Sequence, residues 1–360
     1  MERTEEIVMM LDQIPDPAFL VRDSIITQVN PSAARLLIDT DSPVQKLLAT
    51  GTQEYAAFQS GYLSLMLKLG DKLHNACVTK LNDSDLFVLN QENDQAELQS
   101  MALAAQELRN PLSTIMSVAD RLFPLIGEQN DSTALEQISK INRGLFQMLR
   151  IVSNMSDAYR YAQDSSTRFE TRDVCAIVDE LITGIIPLMD YTGIQLHYDS
   201  PREPIFCLVD SEKLERAVHN IISNALKFTP AGGTIEVKLT HRKNMLYLTV
   251  QNSDADVPGI SPANFYRQYQ RQPGLDDSRF GIGLGMVLIH GAAAAHGGTV
   301  LLEKTPLGGT RITMSIALRQ STDPNVRASI LHVDYAGERD HRLLELSDSL
   351  PATLYGIEKT

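Results

Sequence analysis

Three groups of residues in this 360-residue chain have the types and spacing to do chemistry. Asn220 and Asn224 stand four apart, on one face of a helix that carries both. The Asn224 amide oxygen is a hard ligand suited to Mg2+, which prefers oxygen and the help of substrate phosphates. Lys227 adds a compact positive charge for those phosphates. Gly281, Gly283 and Gly285 directly precede an apolar run. Without Cβ atoms they let backbone amides close on phosphate, and a helix N-terminus favours the anion. The third group is Gln106, Glu107 and Asn110, with Asn110 four residues, or one helical turn, after Gln106. An imidazole can attack a phosphoryl group near neutral pH, but a carboxamide nitrogen has its lone pair delocalised into the carbonyl. Gln106 is therefore no nucleophile, and no histidine occurs between His74 and His197 to replace it.

The elements that must position these groups can be read from periodicity. Met101, Ala105, Leu108, Leu112, Ile115, Ala119 and Leu122 alternate by four and three, a heptad seam. Gly127 to Asp131 breaks it, and Thr133-Ala134-Leu135-Glu136 reads as a capping box. A second seam uses Ile138, Ile141, Leu145, Met148, Val152, Met155 and Tyr159. Two such helices make an antiparallel hairpin with one wet apolar face. A second hairpin closes that face in a four-helix bundle, so a homodimer is expected, against the plainer reading of a hairpin packed on its own chain.

Upstream, a short helix over 7–14 leads to strands at 18–21 and 25–29. A helix then opens at Asn30-Pro31 and runs through Ala33, Ala34, Leu36 and Leu37. Alternating runs near 62–69, 72–81 and 85–90, parted by turn residues, indicate a β-meander. Downstream, a strand over 205–209 meets Asp210, an N-cap for a helix over 211–228. A hairpin at 234–240 and 245–251 follows, then helices near 262–271 and 284–295 and strands near 299–304 and 310–318. The tail beyond Ser321 offers one strand candidate, Ile330 to Val333.

These motifs carry a family resemblance. Gln106-Glu107-Leu108-Arg109-Asn110-Pro111-Leu112 resembles the H-box of sensor histidine kinases, H-E-L-R-N-P-L, at six of seven positions. The exception is the histidine that receives phosphate. His219 to Pro230 resembles the family's N-box, and Gly281 to Gly285 its second glycine box, followed by Ala295-His296-Gly297-Gly298. The first 95 residues resemble a PAS sensor domain, with no cofactor signature. A ligand-free dimerisation module is the plainer reading of that segment. The resemblance implies a multidomain α+β chain: a PAS-like α/β sensor (1–95), an antiparallel helical hairpin forming a dimeric four-helix bundle (98–165), a GHKL-type ATPase α/β sandwich (170–320) and an unassigned tail (321–360).

For the site residues, the resemblance implies that Glu107 would orient the missing histidine. Asn110 occupies the position that aligns a water to hydrolyse the aspartyl-phosphate of a receiver domain. Asn220, Asn224, Lys227, Asn252, Gly281, Gly283 and Gly285 would hold ATP, with Asn224 on Mg2+. The family's adenine loop, V-x-D-x-G-x-G-I-P, aligns on Val250 to Pro258 with three changes. Asn252 replaces the acid that accepts from adenine, turning a charge-assisted bond into a neutral one, ~1 kcal/mol weaker or about fivefold. Asp254 and Asp256 replace glycines, at ~1–2 kcal/mol each if the backbone must be left-handed. Together these changes would carry a micromolar site towards millimolar. Phe265 to Arg271 still follows the family's F-box, with Tyr266 and Tyr269 at phenylalanine positions.

Composition narrows the partners. Lys and Arg number 32 against 45 Asp and Glu, a net −13, which argues against nucleic acid or an anionic membrane as partner. Cys77, Cys175 and Cys207 are odd in number without metal-ligand spacing, so buried reduced thiols are expected. The acidic start is unlike a signal peptide, and no apolar run approaches the ~20 residues that cross a bilayer. The expected protein is cytoplasmic. It is a degenerate kinase acting as scaffold or regulator towards a receiver domain or an intact kinase. The alternatives are a receiver phosphatase using Asn110 and a kinase acting in trans on a partner histidine.

Overall fold

The computed structural model describes residues 11–81, 83–89, 93–127, 132–162, 167–253, 284–305, 308–319 and 339–356. Strands β1 (Ala18–Arg22) and β2 (Ile25–Val29) form a hairpin. Asn30 then caps α1 (Pro31–Arg35), with Pro31 at its first position. Asn30 is fully buried, and its amide is satisfied on both sides. Its oxygen accepts from Ala18 N at 3.0 Å and Ala33 N at 2.8 Å, and its nitrogen donates to the Ile14 and Asp16 carbonyls. The helix stops two residues short of the expected Leu37, which takes a left-handed backbone (φ 57°) and lies exposed. After α2 (Thr52–Ala57) comes the meander β3 (Tyr62–Leu69), β4 (Lys72–Leu81) and β5 (Ser84–Leu89), within a residue of its expected bounds.

Two long helices follow, α3 (Asn93–Gly127) and α4 (Ser132–Ala162), packed along each other. Helix α4 begins at Ser132, so Thr133 lies within its first turn and is not the cap. Their heptad seams divide in two. Ala105, Leu112 and Ala119 on α3 are buried, as are Ile138, Leu145 and Val152 on α4. The intervening members, Leu108, Ile115, Leu122, Ile141 and Met148, each expose roughly half their surface, from 46% to 53%. Every second layer of the seam therefore faces outwards.

The next segment brings β6 (Glu170–Asp173), α5 (Val174–Met189), β7 (Gln195–Asp199) and β8 (Phe206–Val209). β8 pairs with β6 in a separate two-stranded sheet, so the strand foreseen at 205–209 does not join the main one. Then come α6 (Ser211–Phe228), β9 (Thr234–Arg242), β10 (Met245–Asn252), α7 (Leu284–Ala295), β11 (Val300–Lys304) and β12 (Thr310–Ala317). Helices α5, α6 and α7 contribute Ile177, Ile182, Val218, Ile221, Ile222 and Ile289 to the core against that sheet. This is the helical layer over one sheet that the pattern predicts.

The strands β1–β5 and the downstream main sheet are continuous. Among the described residues one ten-stranded sheet runs β2-β1-β5-β4-β3-β11-β12-β10-β9-β7. Antiparallel pairing of Val300, Leu301 and Leu302 with Ser64, Leu63 and Tyr62 joins its halves. Gly61 (φ 89°) makes the junction possible, because a Cβ there would lie 2.2 Å from the Leu302 carbonyl oxygen. Tyr247 Oη also donates to Glu54 Oε1 across the two halves at 3.0 Å. The tail, unassigned from sequence, folds back as α8 (His341–Glu345) and a 3-10 turn (Ala352–Tyr355), with Leu343, Leu344, Leu346, Leu350, Leu354 and Tyr355 in the core. The parts of the expected helix over 7–14 before Leu11, the helix near 262–271 and the strand at 330–333 lie outside the described residues.

All three cysteines are free, and Cys175 and Cys207 are buried. Burial pushes the Cys77 thiol up to about 12 and those of Cys175 and Cys207 up to about 11, so all three stay protonated at neutral pH.

Candidate functional site

Helix α6 is fixed at its start. Asp210 caps it by accepting from Lys213 N at 3.0 Å and from Arg168 N at 2.8 Å. Asp210 N in turn donates to His296 Nε2 at 3.0 Å, while His296 Nδ1 lies 2.7 Å from the Ala292 carbonyl. That geometry requires a neutral ring protonated at Nδ1, and burial pushes the His296 pKa down accordingly. His296 therefore ties the end of α7 to the start of α6, a positioning role that its place in Ala295-His296-Gly297-Gly298 did not disclose.

On α6, Asn220 and Ser223 face Arg150 of α4, and Asn224 lies beside Met286 of α7. Asn220 is fully buried, and its Nδ2 donates to Arg216 O at 2.8 Å. Gly285, in the first turn of α7, is pressed against it: a Cβ would stand 2.8 Å from Asn220 Oδ1. The glycine is thus demanded by the approach of two helices. Asn224 is half-buried, with its Nδ2 3.7 Å from Met286 Sδ. Asn252 ends β10 and is buried, its Oδ1 accepting from Thr310 N and Oγ1. Gly281, Gly283, Asp254, Asp256 and the segment 265–271 lie outside the described residues.

Two arginines from the sequence's unmarked positions complete this face. Arg150 of α4 is buried with its Nη2 3.1 Å from Ser223 Oγ and 3.5 Å from Asn220 Oδ1. Its Nη1 donates to Asp348 Oδ2 at 2.5 Å. Lys227 Nζ meets the same Asp348 oxygen at 2.6 Å. Burial, assisted by the Arg150 charge, pushes the Lys227 pKa down although Asp348 opposes it. Burial works against the Asp348 carboxylate, but Arg150 and Lys227 override it and hold the carboxyl below its usual range. Arg216, fully buried, pairs with Glu345, with Asp157 at 2.6 Å and with Asn154 at 2.8 Å. Charged positions on α4 carried no periodic signal in the sequence, which is why Arg150 escaped notice.

Gln106, Glu107 and Asn110 lie together elsewhere, all exposed on α3 beside the outward Leu108. They stand on a surface, separate from the α6 residues. Among the described residues no group of three or more His, Cys, Asp or Glu side chains could hold a metal ion. No described helix is long and apolar enough to cross a membrane.

The family model for the histidine kinase-, DNA gyrase B- and HSP90-like ATPase matches residues 209–320. Histidine protein kinase DivJ of Caulobacter vibrioides is 29% identical over 66% of this chain and 41% of its own length. Sensor histidine kinase WalK of Bacillus subtilis is 25% identical over 64% of this chain and 38% of its own. The chain thus spans less than half the length of either relative. Among solved structures, full-length ShkA in complex with AMPPNP aligns at TM-score 0.47 and 19% identity, over 63% of this chain and 47% of that one. Residues 209–320 thus match the histidine kinase-, DNA gyrase B- and HSP90-like ATPase family, and both relatives that the chain resembles over about two thirds of its length are histidine kinases.

Proposed function

We propose that this protein is a degenerate sensor histidine kinase, unable to phosphorylate itself, that regulates a response regulator or an intact kinase. One observation carries the reading: the phosphoacceptor position holds Gln106, and an amide lacks the available lone pair that attack on a γ-phosphoryl group requires. In this reading residues 1–95 are a PAS-like sensor, 98–165 the dimerisation hairpin and 170–320 the ATP-binding domain, acting in the cytoplasm. ATP and Mg2+ would bind through Asn220, Asn224, Lys227, Asn252 and the glycines 281, 283 and 285, weakened by the altered adenine loop. The outward members of the heptad seam support a homodimer through the hairpin. Incubating wild type and Gln106→His with γ-labelled MgATP tests the proposal. Acid-labile label on residues 98–165 of the wild type would refute it.

A second reading is favoured by the exposure of Asn110 one turn from Gln106. There the protein dephosphorylates a receiver domain by aligning water at its aspartyl-phosphate, a step that needs no histidine. The lifetime of a phosphorylated receiver should shorten with wild type and recover with Asn110→Ala. Equal lifetimes in both mixtures exclude this reading.

A further inference from the structure

The Asp348 carboxylate sits where a phosphate would be expected, if Lys227 serves nucleotide phosphates as proposed above. One oxygen, Oδ2, takes both Arg150 Nη1 at 2.5 Å and Lys227 Nζ at 2.6 Å. A single anionic oxygen shared by a guanidinium and an ammonium is how a phosphate oxygen is commonly held. The surrounding contacts are those of a seated ligand. Arg143 donates to the Ser347 carbonyl at 2.9 Å and to the Asp348 carbonyl at 3.0 Å, both from α4. Tyr355 packs edge-on against Phe146, its ring 5.2 Å away, and Asn142 donates to the Tyr355 carbonyl at 3.1 Å. Buried Leu346 and Leu350 flank the short turn that presents the acid. Asp348 itself keeps 30% of its side-chain surface open, so it is reachable from solvent while its neighbours are anchored.

Arg150 matters as much as Lys227. It comes from the helical hairpin, yet its guanidinium reaches Asn220 and Ser223 on α6, two positions of the N-box. We infer that Arg150 and Lys227 form a single anion site in which the Asp348 carboxylate takes the place of a nucleotide phosphate. The ligand class that displaces it is a nucleoside polyphosphate. The chain's own C-terminal turn is therefore a resident competitor at the nucleotide face, and Arg150 links occupancy there to the hairpin.

The test uses the full chain and MgATP as probe. Calorimetric titration compares wild type, Asp348→Asn and the double variant Asp348→Asn/Arg150→Gln. The neutral amide should raise MgATP affinity by about tenfold, because the competent fraction of sites rises. Removing Arg150 as well should abolish the gain. Equal affinity in wild type and Asp348→Asn overturns the inference while leaving nucleotide binding intact. No binding to any variant sinks the nucleotide reading and the inference with it. Hydrogen exchange on the wild type guards against a variant that folds poorly. The Ser349 and Leu350 amides, which both donate to the Leu346 carbonyl, should exchange faster on saturation with MgATP. Unchanged exchange at saturation overturns the competition.

Discussion

Asn252 grips Thr310 through one oxygen: its Oδ1 accepts from Thr310 N at 3.1 Å and from Thr310 Oγ1 at 2.6 Å, joining the ends of β10 and β12. Its Nδ2 is buried with no hydrogen-bond partner among the described residues. An aspartate would keep both acceptor bonds, make them charge-assisted and remove the stranded donor. If the residue at this position also accepts from adenine, as the family resemblance implies, Asn252→Asp should tighten MgATP binding by about fivefold, because a charged acceptor replaces a neutral one. Calorimetry measures it. An unchanged constant would place the weakening with Asp254 and Asp256 instead.

Gly61 closes the junction between the two halves of the ten-stranded sheet. It has a left-handed backbone, and an added Cβ would meet the Leu302 carbonyl at 2.2 Å. Gly70 has a similar backbone (φ 60°), with nothing within 4 Å of its Cβ position. Gly70→Ala should cost only the backbone penalty, about 1 kcal/mol, whereas Gly61→Ala adds overpacking and should lose about 3 kcal/mol. Denaturant unfolding compares them. The Gly61 variant should also split one cooperative transition into two, as the halves lose their shared strands.

Buried histidines set an acid limit on stability. Burial pushes down the pKa of His219, His290 and His296, that of His290 to about 4. Each stays neutral in the fold while its unfolded counterpart gains a proton below about 6.5. Stability is therefore full above that pH and falls as pH drops through the interval, by about 1.4 kcal/mol per pH unit per histidine. For His290 the interval ends near its folded value of about 4. His290→Gln should flatten the slope of the urea midpoint between pH 6 and 4.5, within that range. A parallel slope would exclude His290 as a contributor.

The divided heptad seam offers separate tests of folding and of the proposed dimer. Leu112 is buried, so Leu112→Ala should cost about 2–5 kcal/mol of folding stability. Leu108 and Ile115 are half-exposed, so Leu108→Glu/Ile115→Glu should convert the proposed dimer to a monomer and remove only the concentration-dependent part of the melting temperature. Light scattering reads the mass. A wild type that is monomeric at all concentrations would remove the bundle from the account.

Much of this was legible because local rules were obeyed. Asp210 caps α6 where the spacing placed it, and the meander strands follow the turn residues at Gly70 and Asn82. What stayed hidden depends on contacts between distant segments. Nothing local marks Gly61 as the place where β3 meets β11. Leu343, Leu344 and Leu346 could not reveal a docked tail, because their partners lie on α4 and α6. Arg150 reads as one more surface charge until Asn220 and Asp348 are seen beside it. The two-stranded β6–β8 sheet escaped for a related reason: Glu170 to Asp173 is polar throughout and gives no alternation to read.

The most direct measurement concerns phosphorus on the helical hairpin. The purified protein is mixed with MgATP, alone and with an active histidine kinase, and peptides of residues 98–165 are analysed at neutral to alkaline pH by mass spectrometry. The account predicts unmodified peptides in both mixtures, with a phosphoramidate appearing only in Gln106→His. A phosphoramidate on the wild-type hairpin would contradict it.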